Sequence, residues 1–300
     1  MRIFTTGASG FIGSALVPEL FAAGHTVVGL TRSNVAADAL SAAGEEAQPG
    51  SLDDVAALRV GAEASDGVIH LAFNHDFSQF ANAAQTDLRA TETFGSALHD
   101  TGKPLVIASG VIGLAPGRVG TEQDPFPSDP TAPAGPRAAG ALAALALAEH
   151  GVRSSVVRLA PAVHDESKRG FVAALVDIAR AKGLPGYVGD GSQRWPAVHR
   201  LDAAHLFRRA VERVPAGTVL HGVAEEGVPI RAIAEMFPDH LGVPVASVPA
   251  GAAVEHFGWM AAFVGADSPA SSALTQAIVG WKPTRPSLLD DIDHGHYFTA

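Results

Sequence analysis

Three glycines, at positions 7, 10 and 13, constrain this chain more than any other feature. The β-branched and aromatic run Arg2-Ile3-Phe4-Thr5-Thr6 stops where they begin, and an apolar-periodic segment starts at Phe11. A strand that turns at once into a helix needs a residue without Cβ in the tight turn. A second is needed where a polyanion meets the backbone at the helix N-terminus, and a third where helix and strand pack closely. The turn Thr6-Gly7-Ala8-Ser9-Gly10-Phe11-Ile12-Gly13 supplies all three. Gly7, Ser9, Gly10, Phe11, Ile12 and Gly13 are therefore expected to cradle the pyrophosphate of a dinucleotide.

The rest of the first half fits such an opening. Short β-branched runs near 2–6, 26–31, 45–48, 67–72, 104–109 and 153–159 alternate with helical patterns near 11–23, 34–43, 52–60, 78–100 and 137–150. That alternation predicts an α/β fold, a doubly wound parallel sheet covered by helices on both faces. Gly24 and Gly102 fall where helix C-caps belong. Between 110 and 136, Pro116, Pro125, Pro127, Pro130, Pro133 and Pro136 exclude a long helix or central strand. The long loop they imply follows a strand's carboxyl end, where open α/β sheets bind ligands. Beyond 160 the alternation breaks down, with helical stretches near 170–182, 202–213, 229–240 and 270–279. A nucleotide-binding domain of residues 1–160, with 196–222 returning to it, and a smaller C-terminal substrate lobe of 161–195 and 223–300 are expected.

Composition narrows the function. Hydrophobic residues make up 47% of the 300, enough for a large core without crosslinks. The absence of cysteine excludes disulfides and thiolate metal sites. A net charge of -10 opposes nucleic-acid binding, and a small molecule is the expected partner. No apolar run reaches membrane-spanning length and no signal-peptide pattern opens the chain, so a cytoplasmic protein is expected. His294-Gly295-His296 lacks a third spaced ligand, and no metal is assigned.

Four ordered motifs go further. After the GxxGxxG turn come Val68-Ile69-His70-Leu71-Ala72, then Ala108-Ser109-Gly110, then Gly189-Asp190-Gly191 followed by Trp195-Pro196-Ala197-Val198-His199-Arg200-Leu201-Asp202-Ala203-Ala204. Together they resemble the short-chain dehydrogenase/reductase superfamily, in particular its extended branch of NAD-dependent epimerases and dehydratases, over most of the chain. The resemblance implies a Rossmann fold and hydride transfer with a nicotinamide dinucleotide. Cofactor choice is read at the end of the second strand, Leu30-Thr31-Arg32-Ser33, which carries no carboxylate for a ribose diol. Arg32 and Ser33 suit a 2′-phosphate, so NADP(H) is expected over NAD(H). Gly50-Ser51-Leu52-Asp53 resembles the family's GDLxD turn at the adenine, with Ser51 in place of its Asp. The resemblance also puts Leu71, Ala72 and Phe73 along the cofactor, and Pro161 and Val163 near the nicotinamide.

The catalytic centre departs from the family. Its trio is a Ser or Thr after the fifth strand plus the Tyr and Lys of YxxxK. Ser109 has the right context, but counting back from Gly151 puts Pro133 in the place of Tyr and Arg137 in that of Lys. The chain's two tyrosines, Tyr187 and Tyr297, start no YxxxK. Arginine can take over the ribose-holding role of lysine, whereas proline cannot donate a phenolic proton. His75, in Asn74-His75-Asp76 after the fourth strand, is a candidate donor, as are Tyr187 and His164. Asn74, His164, Trp195 and Trp259 are candidate substrate contacts. The sequence thus predicts an NADPH-dependent oxidoreductase that reduces a carbonyl or imine of a small, largely apolar molecule. A protonated imine would need no acid. The alternative is a catalytically silent NADP-binding regulator. Sugar-nucleotide epimerisation is disfavoured by the missing Tyr and the lack of a basic cluster for a diphosphate. A homodimer paired through the helices near 78–100 and 137–150 is expected.

Overall fold

Strand β1 (Arg2–Thr6) lies at the centre of a parallel sheet because it is apolar on both faces, as are most of its neighbours. A computed structural model describes residues 1–76, 79–127 and 135–299. Beside β1 the first part of the chain adds β2 (Thr26–Thr31), β3 (Glu46–Pro49), β4 (Gly67–His70), β5 (Pro104–Gly110) and β6 (Arg153–Leu159). The second part forms β7 (Ala162–His164), β8 (Gly186–Val188), β9 (Arg194–His199), β10 (Thr218–Gly222), β11 (Glu225–Pro229) and β12 (Ala246–Val248). Seven of these make the main sheet in the order β10-β6-β5-β4-β1-β2-β3. Strand order reverses between β1 and β4, which opens a crevice at their carboxyl ends.

Helices cover both faces. Ile3, Val27, Ile69, Val106, Val157 and Leu220 meet α1 (Gly13–Ala22) and α7 (Arg200–Arg213). On the opposite face Phe4, Val68, Leu105, Ile107 and Val156 meet α3 (Val55–Glu63), α4 (Phe80–Leu98) and α5 (Gly135–Ala146), while α2 (Asn34–Ala42) follows β2. Each strand therefore alternates between two apolar layers. β11, β9 and β7 form a small mixed sheet, and β12 pairs with β8. Around them a second core gathers Val172, Leu175 and Val176 of α6 (Gly170–Lys182) with Ile233 of α8 (Ile230–Glu235), Phe237, Phe257 and Ile292.

The boundaries have local causes. α3 starts at Val55, later than its pattern suggested, because the Asp54 side chain caps it by accepting from Ala57 N–H. The helix expected over 229–240 breaks into α8 and a short helical turn at Pro238–Leu241, since Pro238 has no N–H to continue the helical hydrogen bonds. That expected over 270–279 shrinks to Ala273–Val279, because Ala270 bridges to Gly120 in the long loop. α5 tightens into a 3₁₀ turn over Leu147–His150, closed by Gly151 at φ 68°. No helix among the described residues is long and apolar enough to cross a membrane.

Candidate active site

The glycine turn has the stereochemistry of a phosphate cradle. Gly7 has φ 72°, and a Cβ there would lie 2.8 Å from the backbone nitrogen of Ala72. A Cβ on Gly10 would come within 2.9 Å of the Gly7 carbonyl oxygen, and one on Gly13 would overlap that same oxygen. The turn is therefore closed to side chains at all three positions. No side chain caps the N-terminus of α1 at Ile12; Ser14 N–H donates to the Gly10 carbonyl and Ala15 N–H to that of Ile12, which leaves the N–H groups ahead of them to an incoming anion. These features fit a dinucleotide pyrophosphate. Arg200, which the sequence reading did not single out, braces the turn by donating to the Phe11 carbonyl at 3.2 Å and to Ser14 Oγ at 3.1 Å. It is anchored in turn by an ion pair with Asp165. Its place within the VHRLDAA motif is the signal that could have found it.

At the end of β2, Thr31 is buried and Arg32 and Ser33 are exposed. Ser33 Oγ caps α2 by accepting from Ala36 N–H at 3.3 Å, and Ser51 Oγ accepts from Asp53 N–H at 3.3 Å. The two carboxylates next to Leu52 are already engaged. Asp53 accepts from Arg89 at 3.2 Å, and Asp54 caps α3.

Across the crevice, Leu71, Ala72 and Phe73 follow β4, half-buried, and Ser109 is buried near the end of β5. Arg137 joins them from α5. One of its terminal nitrogens donates to the Ala108 carbonyl at 3.1 Å, its plane covers the Phe73 ring at 4.1 Å, and its Nε is buried without a partner among the described residues. Burial lowers the pKa of Arg137, and Asp87 opposes that shift. His75 packs edge-on against Phe73, with ring centroids 5.4 Å apart. Although His75 keeps an exposed edge, desolvation by its surroundings and then the charge of Arg137 lower its pKa below 6.5. It is therefore neutral at pH 7 and a poor proton reservoir. Asn74 is exposed and accepts from Asp76 N–H at 3.1 Å. Pro133, which counting puts in the position of the family tyrosine, lies outside the described residues.

Ser109 stands in register with Arg158 of β6, and Arg158 with His221 of β10. Arg158 is 1% exposed and stacks on Phe126 of the proline-rich loop at 3.8 Å. Burial pushes its pKa down to about 10, against the pull of Asp124 and Glu122. Glu122 itself accepts from both the N–H and the hydroxyl of Thr275, at 2.7 and 2.6 Å. These contacts fasten the loop beside Ser109. No spacing rule exposes them, because they join residues more than thirty positions apart.

Two expected substrate contacts have little or no exposed surface. Trp195 is fully buried, with its indole N–H donated to the Phe263 carbonyl at 2.9 Å. His164 is fully buried as well, its Nδ1 2.6 Å from Asp291. Both side chains belong to the interior, and His164 Nε2 is buried there without a hydrogen-bond partner among the described residues. Trp259 is 44% exposed and meets Phe171 edge-on at 5.5 Å. Phe171 follows Gly170, where a Cβ would be 3.3 Å from the Phe11 ring and 3.1 Å from the Val163 carbonyl. Val163 is buried and Pro161 half-buried at this approach. Tyr187 sits on β8, with Arg231 over its ring at 5.5 Å. The structure thus gathers Gly7–Gly13, Leu71–Phe73, Ser109, Arg137 and His75 at the carboxyl ends of β1, β4 and β5. Tyr187 stands on the separate β8–β12 pair. His296 Nε2 lies 3.0 Å from the Asp165 carbonyl, and no cluster able to hold a metal occurs among the described residues.

Burial is the leading cause of lowered pKa values at His75, His199, His205, His221 and His256. Above the ordinary value of 6.5 both folded and unfolded forms of these groups are neutral, and they contribute nothing to the pH dependence. As pH falls through 6.5 the unfolded chain takes up protons that the native one resists, so stability drops. Scanning calorimetry is expected to show a melting temperature level above about pH 7 and falling toward pH 5. A melting temperature that rises over that interval would contradict these pKa directions.

The sequence matches the model of the NAD dependent epimerase/dehydratase family over residues 3–221. The chain belongs to that family. Among curated proteins it is similar to the uncharacterized protein C2A9.02 of Schizosaccharomyces pombe, 46% identical over 99% of this chain and 100% of the relative. It is also similar to a 4-hydroxy-2-methyl-3-oxo-4-farnesyl-3,4-dihydroquinoline-1-oxide ketoreductase of Stigmatella aurantiaca, 28% identical over 90% of this chain and 84% of the relative. Among solved structures, the dTDP-glucose 4,6-dehydratase DesIV of Streptomyces venezuelae superposes with TM-score 0.78 at 20% identity, covering 99% of this chain and 96% of that one. That likeness establishes the fold. As a member of this family, the protein presents a glycine turn that fits a nicotinamide dinucleotide.

Proposed function

We propose that the protein is an NADPH-dependent reductase of a carbonyl or imine group in a small, largely apolar molecule. The observation that carries this reading is the meeting of the glycine turn, Arg137 and Ser109 in one crevice. Bound NADPH would supply a hydride to the electrophilic carbon. Arg32 and Ser33 receive the 2′-phosphate, Ser51 and Leu52 flank the adenine, and Arg137 holds the nicotinamide ribose. The Ser109 hydroxyl donates a hydrogen bond to a ketone's oxygen as negative charge grows there, or accepts one from the N–H of a protonated imine. A reduced ketone then takes its proton from water, while a protonated imine becomes an amine with no further proton. The neutrality of His75 favours this route over a histidine acid.

Two observations support a reductase over sugar-nucleotide chemistry. Arg180, Arg194 and Arg231, around the second core, each pair with a carboxylate, Asp177, Asp267 and Glu235 respectively. A diphosphate would have to compete for them. The half-exposed Trp259 beside Phe171 offers an apolar wall instead. The relative named as a ketoreductase has a farnesyl-bearing 3-oxo-dihydroquinoline in its name, a largely apolar ketone of the kind such a wall suits. We also read α4 and α5 as the pairing surface of a homodimer, with Leu142 53% exposed on α5.

The test is purified protein with NADPH and a panel of apolar ketones, cyclic imines and activated alkenes, followed at the nicotinamide absorbance. Consumption with a ketone or imine is expected, and Ser109→Ala is expected to lower kcat by about a hundredfold with little change in NADPH affinity. Tight NADPH binding without turnover on any compound would favour a silent NADP-binding regulator.

A further inference from the structure

Asp87 is a buried carboxylate with no role in the chemistry above. It is 3% exposed on α4, and its Oδ1 lies 3.2 Å from Nε2 of His70, which is equally buried. A Cβ at position 140 would come within 2.6 Å of its Oδ2, so glycine there makes room for the carboxylate between α4 and α5. One turn of α5 before Gly140 stands Arg137, whose charge Asp87 supports against the cost of burial. An isolated buried charge costs several kcal/mol, which makes an opposite charge across the helix interface a requirement for a buried guanidinium.

The connections continue beyond this pair. Thr6 Oγ1 lies 2.6 Å from His70 Nδ1, and the same oxygen accepts from Ala72 N–H at 3.3 Å. Ala72 is the residue against which Gly7 closes. Thr6, His70 and Asp87 thus lead from the glycine turn to the face between α4 and α5, where Arg137, one turn from Gly140, donates to the Ala108 carbonyl next to Ser109.

We propose that Asp87 is a positioning residue, the counter-charge that keeps Arg137 at the Ala108 carbonyl and thereby sets the nicotinamide end of the cofactor site. The inference rests on the reading that Arg137 holds the nicotinamide ribose. It gives Gly140 a role too, as the position whose lack of a side chain lets the carboxylate stand there.

The test measures dissociation constants for NADPH and for adenosine 2′,5′-bisphosphate, which carries only the adenosine half of the cofactor. Asp87→Asn is expected to weaken NADPH about tenfold and to leave the bisphosphate unchanged. Arg137→Gln should weaken NADPH at least as much, and the double variant no further than Arg137→Gln alone. Gly140→Ala, which presses on the same carboxylate while keeping its charge, should reproduce the selective loss. Equal weakening of both ligands by Asp87→Asn and Gly140→Ala, or losses that simply add in the double variant, would overturn the positioning role. So would an unchanged NADPH constant in Asp87→Asn when Arg137→Gln binds weakly. If instead Arg137→Gln binds NADPH as the parent does, the ribose reading fails first, and the positioning role falls with it.

Discussion

Gly13→Ala is expected to reduce NADPH affinity by at least about a hundredfold and to lower the melting temperature by several degrees. The added methyl would overlap the Gly7 carbonyl oxygen and lie 2.7 Å from that of Ala8. Every atom it meets is backbone, so no flexible side chain can yield. Overpacking of this kind costs about 1–3 kcal/mol in an ordinary core. Here the relaxation would also swing the N-terminus of α1 away from β1, and with it the N–H groups offered to the pyrophosphate. Gly24→Ala supplies the control. Gly24 also has a positive φ, but a Cβ there meets nothing within 4 Å. It should cost about 1 kcal/mol of stability through backbone strain and leave cofactor affinity intact. Titration and thermal melts on both variants would separate the two cases, and equal cofactor loss in both would refute the cradle.

Arg32→Ala is expected to weaken NADPH by roughly ten- to a hundredfold and to leave NADH unchanged. Hydrogen bonds to charged groups are worth about 1.5–3 kcal/mol, and those to a 2′-phosphate disappear with the guanidinium. NADH has no such phosphate to lose. The expectation rests on an exposed Arg32 at the end of β2 and on an Asp53 already bound to Arg89. Tighter binding of NADH than NADPH by the parent protein, or equal losses for the two cofactors in Arg32→Ala, would reverse the assignment.

Much of this fold was legible because its strands are short apolar runs followed by helices with clear ends. α6 is a clear case: residues 170–182 carry the helical pattern, with Arg180 and Lys182 in the last turn and Gly183 in the left-handed cap. β8 and β12, of three residues each, are too short for a period to show. The cofactor turn was legible for a physical reason, since glycine is the one residue its geometry admits. The polar residues around it were not. Asp87 reads as one of two acids on an amphipathic helix until the fold brings His70 of β4 and Gly140 of α5 beside it. Trp195 and Trp259 look alike as letters. One lies on β9 with its indole bonded to Phe263, and the other is exposed beside Phe171. Which face of an element a side chain takes is decided by the fold, not by the residue type.

The central claim is hydride transfer from NADPH at the crevice between the glycine turn, Arg137 and Ser109. Its most direct measurement uses NADPH carrying deuterium at the reactive nicotinamide carbon, incubated with the protein and an apolar ketone or cyclic imine. The account predicts cofactor oxidation matched one to one by an alcohol or amine with deuterium on the reduced carbon, far slower with NADH. Saturating NADPH binding with no label transferred to any substrate would contradict it.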